Sequence, residues 1–572
     1  MDRQAGPAGR AGRVAVAGAI RRYGWLCLGV VAFVAVVAFA PSVRGTRTEY
    51  VNAPFSTANF QPVKTPGQEV VGTTVGGYRC GPGIHQVPWS YYAPWCMTAW
   101  HGDNGGNTST GVTASAITIT ARIAISGGDC TMLSALAPQA FSSVKEFKQV
   151  MNAYVALFNK DFDLYGRKVV VKYVNGSSCF ADELLGQDVS EASADAAKAD
   201  SFSPFADVSV VAATPPYEVD LAHDHIVSIG GLYMPHSFYK ANAPYAFSPL
   251  PSCTKFVDGA SRIVKRDLAG LPAIYAGSPG LKSKTRVFGV LYPDVTNILP
   301  CGRYFVSSLK ADGINVAGSY EYAFDLSTLQ NEASQIMTTF KKEGVTTVVC
   351  ACDPLTPMYL ADSAEQQDYH PEWLPLAIND TLTRIPIEMS TSLKAEFAHA
   401  VTIFDQSVRP EESEFAVAYK LATGKAIKSA RAGTGTATSN AISVAIQAAT
   451  IYPNLLLLFD GLQQAGPHLT PSTFERGIWS LPPSPQDAEY GGWSFGPGQY
   501  TAPANTQVVY WSPNIPGPIT GQAGSWVACN RGAFFSYAGP LTNLPPGHQL
   551  QCYGIGGSGR PWVPSPSVIP KL

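Results

Sequence analysis

Few residues in this 572-residue sequence are spaced for chemistry. His223 and His225 form a His-x-His pair. Two ligands are too few for a zinc site, so a surface turn accounts for them. Gly424-Lys425 lacks both the upstream Gly and the following Ser/Thr of a phosphate-binding loop. There is no Gly-x-Ser-x-Gly nucleophile elbow and no His-Glu-x-x-His. The expectation is therefore a non-enzyme with no metal and no cofactor. With 40 basic and 42 acidic residues the net charge is −2, which excludes the strongly basic surface of a nucleic-acid binder. Charged residues make up only 14% of the chain, against about 25% in an average soluble protein. The difference is made up by 53 Gly and 44 Pro.

The N-terminus says where the rest goes. Residues 1–22 carry Arg3, Arg10, Arg13, Arg21 and Arg22 and one acid, Asp2. An uncharged apolar run, 23–40, follows. It is just long enough to cross a hydrocarbon core of about 30 Å. The basic flank stays in the cytoplasm, which puts everything after Ala40 outside. Ala38-Phe39-Ala40 has the form of a cleavage site, but Pro41 follows it and has no N–H and a fixed φ. An uncleaved signal anchor is therefore favoured over a cleaved signal peptide. The expected location is the cell membrane, single-pass with a large extracellular domain, or secreted if the signal is cleaved.

Elements follow from periodicity. Residues 41–110 read as a linker and loop-rich cap, and 513–572 as an irregular Gly/Pro-rich tail. Between them strands and helices alternate. Strands are predicted at 116–121, 168–174, 208–213 and 226–230, then at 286–292, 315–322, 345–350 and 374–378. Helices are predicted from Ser143, which with Glu146 forms a capping box, and at 191–199, 303–310 and 327–342. This α/β rhythm implies parallel sheets flanked by helices. Because it restarts after residue 285, it implies two Rossmann-like lobes, with ligand at the carboxyl ends of the strands.

Several segments, in order, carry a resemblance. They are Gly111-Val112-Thr113 before Ile117-Thr118-Ile119, Asn152 near Gly166-Arg167-Lys168-Val169, and Tyr245-Ala246-Phe247-Ser248-Pro249. Further on come Gly344-Val345-Thr346-Thr347-Val348-Val349, Tyr369-His370-Pro371-Glu372-Trp373, and Ala465-Gly466-Pro467-His468-Leu469-Thr470-Pro471. Over about 75–515 the chain resembles solute-binding proteins of the branched-chain amino-acid and amide type that serve ABC transporters. Cys80…Gln86-Val87-Pro88…Cys96 with Asn104-Gly105-Gly106 resembles an actinobacterial branch. The resemblance implies a type I periplasmic-binding fold over 111–512, with three hinge crossings. Lobe one would be about 111–250 and 392–480, and lobe two about 251–391 and 481–512.

In that family the loops after the strands hold the ligand. Carried over by position, the contacts are Thr214, Tyr217, Gly231 and Tyr233 in lobe one. In lobe two they are Tyr292, Asp294, Asp353, Asn379 and Asp380. Thr214 stands where such proteins place a hydroxyl for the ligand carboxylate, and Asp380 where they place an acid for the ammonium. Pro215-Pro216 departs from the family's hydroxyl-rich loop. Asp294 and Asp353 equally suit helix N-caps, and Tyr217 and Tyr233 equally suit a lobe interface. The implied function is the extracellular binding component of an importer. It would capture a small polar molecule (amino acid, amide or short peptide) for an ABC permease. The alternative is a membrane-anchored ligand sensor on the same fold.

Eleven cysteines less Cys27 leave ten outside. Cys80–Cys96 and Cys529–Cys552 suit local staples of loop-rich regions. In the implied fold Cys130–Cys179 ties two strand-end loops, and Cys301–Cys352 joins neighbouring strand ends. The partners of Cys253 and Cys350 stay open. Cys350-Ala351-Cys352 also has a spacing used in redox or metal chemistry, though the exported context and the missing ligand cluster favour structural pairing.

Overall fold

The computed structural model describes residues 71–552, except 126–129, 131–143, 233, 377–383, 385–386, 388–389, 399, 405–408, 429–435, 486–488, 542–543 and 545–549. The expected membrane span 23–40, the segment before it and Ser143 lie outside the described residues.

The cap carries two short strands, β1 (Gly72–Thr73) and β2 (Arg79–Cys80), paired antiparallel. It packs on lobe one through Trp89, which is buried and stacks on Phe158 at 5.3 Å between ring centres. Next comes β3 (Ala116–Ile123), whose β-branched residues suit a strand. It is joined by β4 (Lys168–Asn175), β5 (Ala206–Val210), β6 (Val227–Gly230) and β7 (Ala246–Phe247). The sheet is parallel throughout, in the order β4-β3-β5-β6-β7. Its crossovers contain α1 (Val144–Asp161), α2 (Phe180–Leu184), α3 (Val189–Asp200), α4 (Pro215–His223) and α5 (His236–Ala241). In α1 the helical spacing of Phe147, Val150, Met151, Tyr154, Val155 and Phe158 buries one face.

Lobe two opens with α6 (Cys253–Ile263). Then come β8 (Phe288–Pro293), α7 (Leu299–Ala311), β9 (Val316–Tyr322), α8 (Leu329–Lys342), β10 (Thr347–Cys350), α9 (Thr356–Gln366) and β11 (Glu372–Pro375). Its sheet is also parallel, in the order β11-β10-β8-β9. Both sheets therefore have the doubly wound arrangement, in which the second strand lies outside the first.

The return to lobe one comes later than 392. α10 (Thr391–Glu396) and β12 (Val401–Ile403) still belong to lobe two, because Leu393, Phe397, Val401 and Ile403 lie in its cores. Lobe one resumes with α11 (Glu414–Thr423), α12 (Thr436–Ala465) and α13 (Pro471–Trp479). It also keeps Leu481, Trp493 and Tyr500, which lie in its core and had been expected in lobe two.

The region after 512 is not simply irregular. β13 (Asn505–Pro516), β14 (Ala523–Ala528) and β15 (Phe534–Ser536) form antiparallel ladders with β12 in lobe two. The reason is a strand buried on both faces. Val508 and Tyr510 enter one core while Val509 and Trp511 enter another, as a two-residue period requires.

Among the described residues one helix, Asn440–Ala465 within α12, is long and apolar enough to cross a membrane. It is instead the core helix of lobe one. Ile451, Leu455, Leu456, Leu457, Leu458, Phe459 and Leu462 are at most 2% exposed, and a helix apolar all round is a buried one.

Among the described residues five disulfides are formed: Cys80–Cys96, Cys130–Cys179, Cys253–Cys301, Cys350–Cys352 and Cys529–Cys552. The expected Cys301–Cys352 bond is not among them. Cys301 lies in α7 rather than at the end of β8, and α7 packs on α6 beside Cys253.

Candidate functional site

The site follows from where each sheet ends. In lobe one β3 ends near Arg122, the one charged residue of the strand and 0% exposed. An unpaired buried charge would be prohibitive, and Arg122 is not unpaired. Its Nε donates to Asp195 Oδ2 at 2.9 Å, Nη1 to Glu183 Oε2 at 2.8 Å, and Nη2 to Glu183 Oε1. The guanidinium also lies 4.6 Å from the Tyr217 ring centre. Burial works against its charge, but Glu183 and Asp195 outweigh burial and raise its pKa. Asp195 in turn accepts from Ser177 N at 2.8 Å, Ser177 Oγ at 2.7 Å and Lys198 Nζ at 2.8 Å. Burial would raise its pKa, yet these donors and Arg122 hold it below the usual value.

Two expected ligand contacts belong to this network. Thr214 is 0% exposed and its hydroxyl donates to Glu183. Glu183, from this same chain, thus occupies the hydroxyl that a ligand carboxylate was expected to take. Tyr217 is 0% exposed and its hydroxyl donates to Asp207 Oδ2 at 2.9 Å. Asp207 also receives Thr120 Oγ1 at 2.7 Å, and burial raises its pKa. Gly231 has φ +82, and a Cβ there would lie 2.6 Å from Glu218 Oε2. Only glycine fits that turn.

In lobe two, the Asp353 carboxylate is taken up by the turn that leads into α9, whose N-cap is Leu355. Its Oδ1 accepts from Leu355 N at 2.7 Å and Thr356 N at 2.9 Å, and its Oδ2 from Tyr322 Oη at 2.7 Å. Tyr292 is 3% exposed and donates to Glu321 Oε1 at 3.2 Å. Arg303 grips the same carboxylate through two bonds of 2.7 Å. Asp294 is exposed, on the loop after β8. Tyr233, Asn379 and Asp380 lie outside the described residues.

The two sets of strand-end loops meet. A Cβ on Gly186 of lobe one would lie 3.8 Å from Val295 Cγ1 of lobe two. Leu185, just after α2, packs on the lobe-two cluster of Phe324, Leu329 and Leu355. Leu184 packs on the larger lobe-two core. This five-residue helix and its C-cap thus supply Glu183 to the Arg122 network and Leu184 and Leu185 to the opposite lobe. Sequence reasoning missed Arg122, Glu183 and these leucines. The signal for Arg122 was there, as a cation inside Ile-Thr-Ile-Thr-Ala-Arg-Ile.

Among the described residues one group has ligand atoms close enough for a metal: Glu365, His370 and Glu396. Both ring nitrogens of His370 face carboxylates, Nδ1 at 2.5 Å from Glu396 and Nε2 at 3.3 Å from Asp368. An ion-paired imidazole accounts for this cluster. His223 lies 3.3 Å from Asp224 and the His225 ring packs on Tyr245, so the His-x-His pair does not converge on one point.

No protein-family model matches the chain, and no curated protein matches it. Solved structures do. One is the leucine-, isoleucine-, valine-, threonine- and alanine-binding protein from Brucella ovis in a closed conformation. It is 12% identical with a TM-score of 0.50, over 75% of this chain and 97% of that one. A fatty acid ABC transporter substrate-binding protein from Thermomonospora curvata is 13% identical with a TM-score of 0.49, over 75% and 95%. A solute-binding protein of an ABC transporter from R. palustris, in complex with 4-hydroxybenzoate, is 11% identical with a TM-score of 0.48, over 74% and 97%. At this identity the likeness is one of fold.

Proposed function

We propose that this chain, which has the type I periplasmic-binding fold, is the solute-binding component of an ABC-type importer, working outside the cytoplasm. The observation that carries the reading is the meeting of the two sheets' carboxyl-end loops at Gly186 and Val295. That is where open α/β sheets bind ligands. Closure of two lobes on a solute needs only that the solute bind the closed state more tightly. The ligand is a small polar molecule: an amino acid, amide or short peptide. Gly231, Tyr292 and Asp294 border its site, and Tyr233, Asn379 and Asp380 complete it, with Asp380 receiving a ligand ammonium. Residues 23–40 tether the protein to the membrane beside its permease.

The test is thermal-shift screening of the full-length protein against amino acids, amides, short peptides and sugars. A solute at a hundred times its Kd stabilises by about 2.7 kcal/mol, and Asp380→Ala is expected to abolish that gain for a cationic or zwitterionic ligand. No stabilisation by any of these solutes would sink the reading. Intact binding by the Asp380→Ala protein would remove Asp380 from the site.

A further inference from the structure

The Cys350–Cys352 disulfide differs from the other four in exposure and in what it holds. Nine of the ten paired cysteines are at most 5% exposed. Cys352 alone is partly exposed, on the strand-end loop of β10. The other pairs close loops with sequence separations of 16 to 49 residues. This pair spans a separation of 2. Stabilisation by a cross-link grows with the length of the loop it closes, so this bond constrains the unfolded chain least.

Nor is it needed to shape the folded backbone. Before it, Cys350 sits between Leu291 and Pro375 in the parallel ladder, with Ala351 N bonded to Leu291 O at 3.0 Å and Leu376 N to Cys350 O at 2.8 Å. After it, Asp353 is fixed by Tyr322 and by the first amides of α9. Both ends of the Ala351 bend stay in place when the sulfurs part, and the two thiols remain within reach of one another. A disulfide with an exposed member is the kind that exchanges, whereas buried ones in exported proteins resist reduction.

We infer that Cys350–Cys352 is a thiol–disulfide exchange site for a low-molecular-weight thiol outside the cytoplasm. A thiolate, RS⁻, attacks Sγ of Cys352, the less buried residue of the pair. The S–S bond breaks, a mixed disulfide forms on Cys352, and Cys350 leaves as a thiolate that takes a proton from water. A second RS⁻ attacks the R-bearing sulfur of the mixed disulfide. RSSR departs, and the Cys352 thiolate is protonated. In sum two thiols are oxidised to one disulfide while the protein pair is reduced to a dithiol. Oxidised low-molecular-weight disulfide reverses the sequence.

The test equilibrates the full-length protein in glutathione redox buffers, quenches with acid, alkylates the free thiols and assigns every cysteine by peptide mass. The Cys350–Cys352 pair is expected to be half-reduced at a buffer at least tenfold more oxidising than any of the other four pairs requires. Transient glutathione adducts are expected on Cys352 and not on Cys350. Opening together with the other pairs or after them, adducts on Cys350, or two free thiols in protein isolated without reductant would each overturn the inference. A Cys350→Ala protein should take one glutathione on Cys352 from oxidised glutathione. A folded variant that takes none also overturns it, and if the variant does not fold the wild-type titration decides.

Discussion

Arg122 and Glu218 show how buried charge is handled residue by residue in lobe one. Arg122 is held by Glu183 and Asp195. Removing one partner of such a buried set costs about 3–5 kcal/mol, because the remaining charges are left uncompensated. Arg122→Met is therefore expected to lower stability by about that amount in urea unfolding, and Glu183→Gln added to it should recover part of the loss. Equal stability of Arg122→Met and wild type would show that the network is not needed. Glu218 has the opposite problem. It is 1% exposed, Ser228 donates to its Oε1, and burial pushes its pKa up to about 8. A carboxyl whose pKa is raised on folding supports the fold fully below its unfolded value near 4.3. That support is lost as pH rises through about 8. Glu218→Gln, which stays neutral, is expected to melt like wild type at pH 4 and to be more stable by about 3–5 kcal/mol at pH 8.5. A gain independent of pH would contradict the assignment.

At the scale of elements, α2 does more than its five residues suggest. Cys130–Cys179 fixes its start, Glu183 ties it to Arg122, and Leu184 and Leu185 reach lobe two. Leu185→Asp puts a charge against Phe324, Leu329 and Leu355, and forfeits part of the about 1.5–3 kcal/mol that full burial of a leucine is worth. The lobes are expected to separate, seen as a larger radius of gyration by solution scattering with unchanged far-UV circular dichroism. An unchanged radius would mean that α2 does not hold the lobes together. The core helix α12 sets overall stability instead. Leu456, 0% exposed, is expected to cost about 2–5 kcal/mol when replaced by Ala, read by thermal unfolding, with little effect on lobe separation. A small cost would show that the core collapses around the missing side chain.

At the scale of the molecule, the proposed closure would bend the segments that cross between the lobes. Ser248 and the 500–502 segment are joined by Ser248 N to Tyr500 O and Ala502 N to Ser248 O, both at 3.0 Å. Lys255 of α6 spans the same region, donating to Thr501 O at 3.0 Å and Pro503 O at 2.8 Å. Burial lowers its pKa to about 8. A ligand that takes the population from 1:99 to 99:1 closed must prefer the closed form by about 10⁴-fold. Any solute found by melting is therefore expected also to reduce the radius of gyration, and a solute that stabilises without compaction would argue against closure as the mechanism.

Much of this was legible in the sequence because it is local. Local residue pattern placed β3 to β6, β8 to β11 and helices such as α1 and α8 within a few residues, but not the two-residue β7, and the restart after 285 marked the second parallel sheet. Glycine density misled at 513–572. There the strands β14 and β15 are short, and their partner β13 lies mostly before the segment, so only pairing across the chain makes them strands. The site was less legible for the same reason. Position along the chain put Thr214 and Asp353 at strand ends, where they are. It could not say that Glu183, 31 residues before Thr214, would take its hydroxyl, or that Asp353 would turn its carboxylate to its own helix. The partner of Cys301 depended on how α7 settles against α6. Sequence alone determined the α/β class, the two lobes and the strand-end loops, since these follow from local pattern and chain order. Only the tertiary structure decided which side chains in those loops are already occupied, because that depends on contacts between residues far apart in the chain.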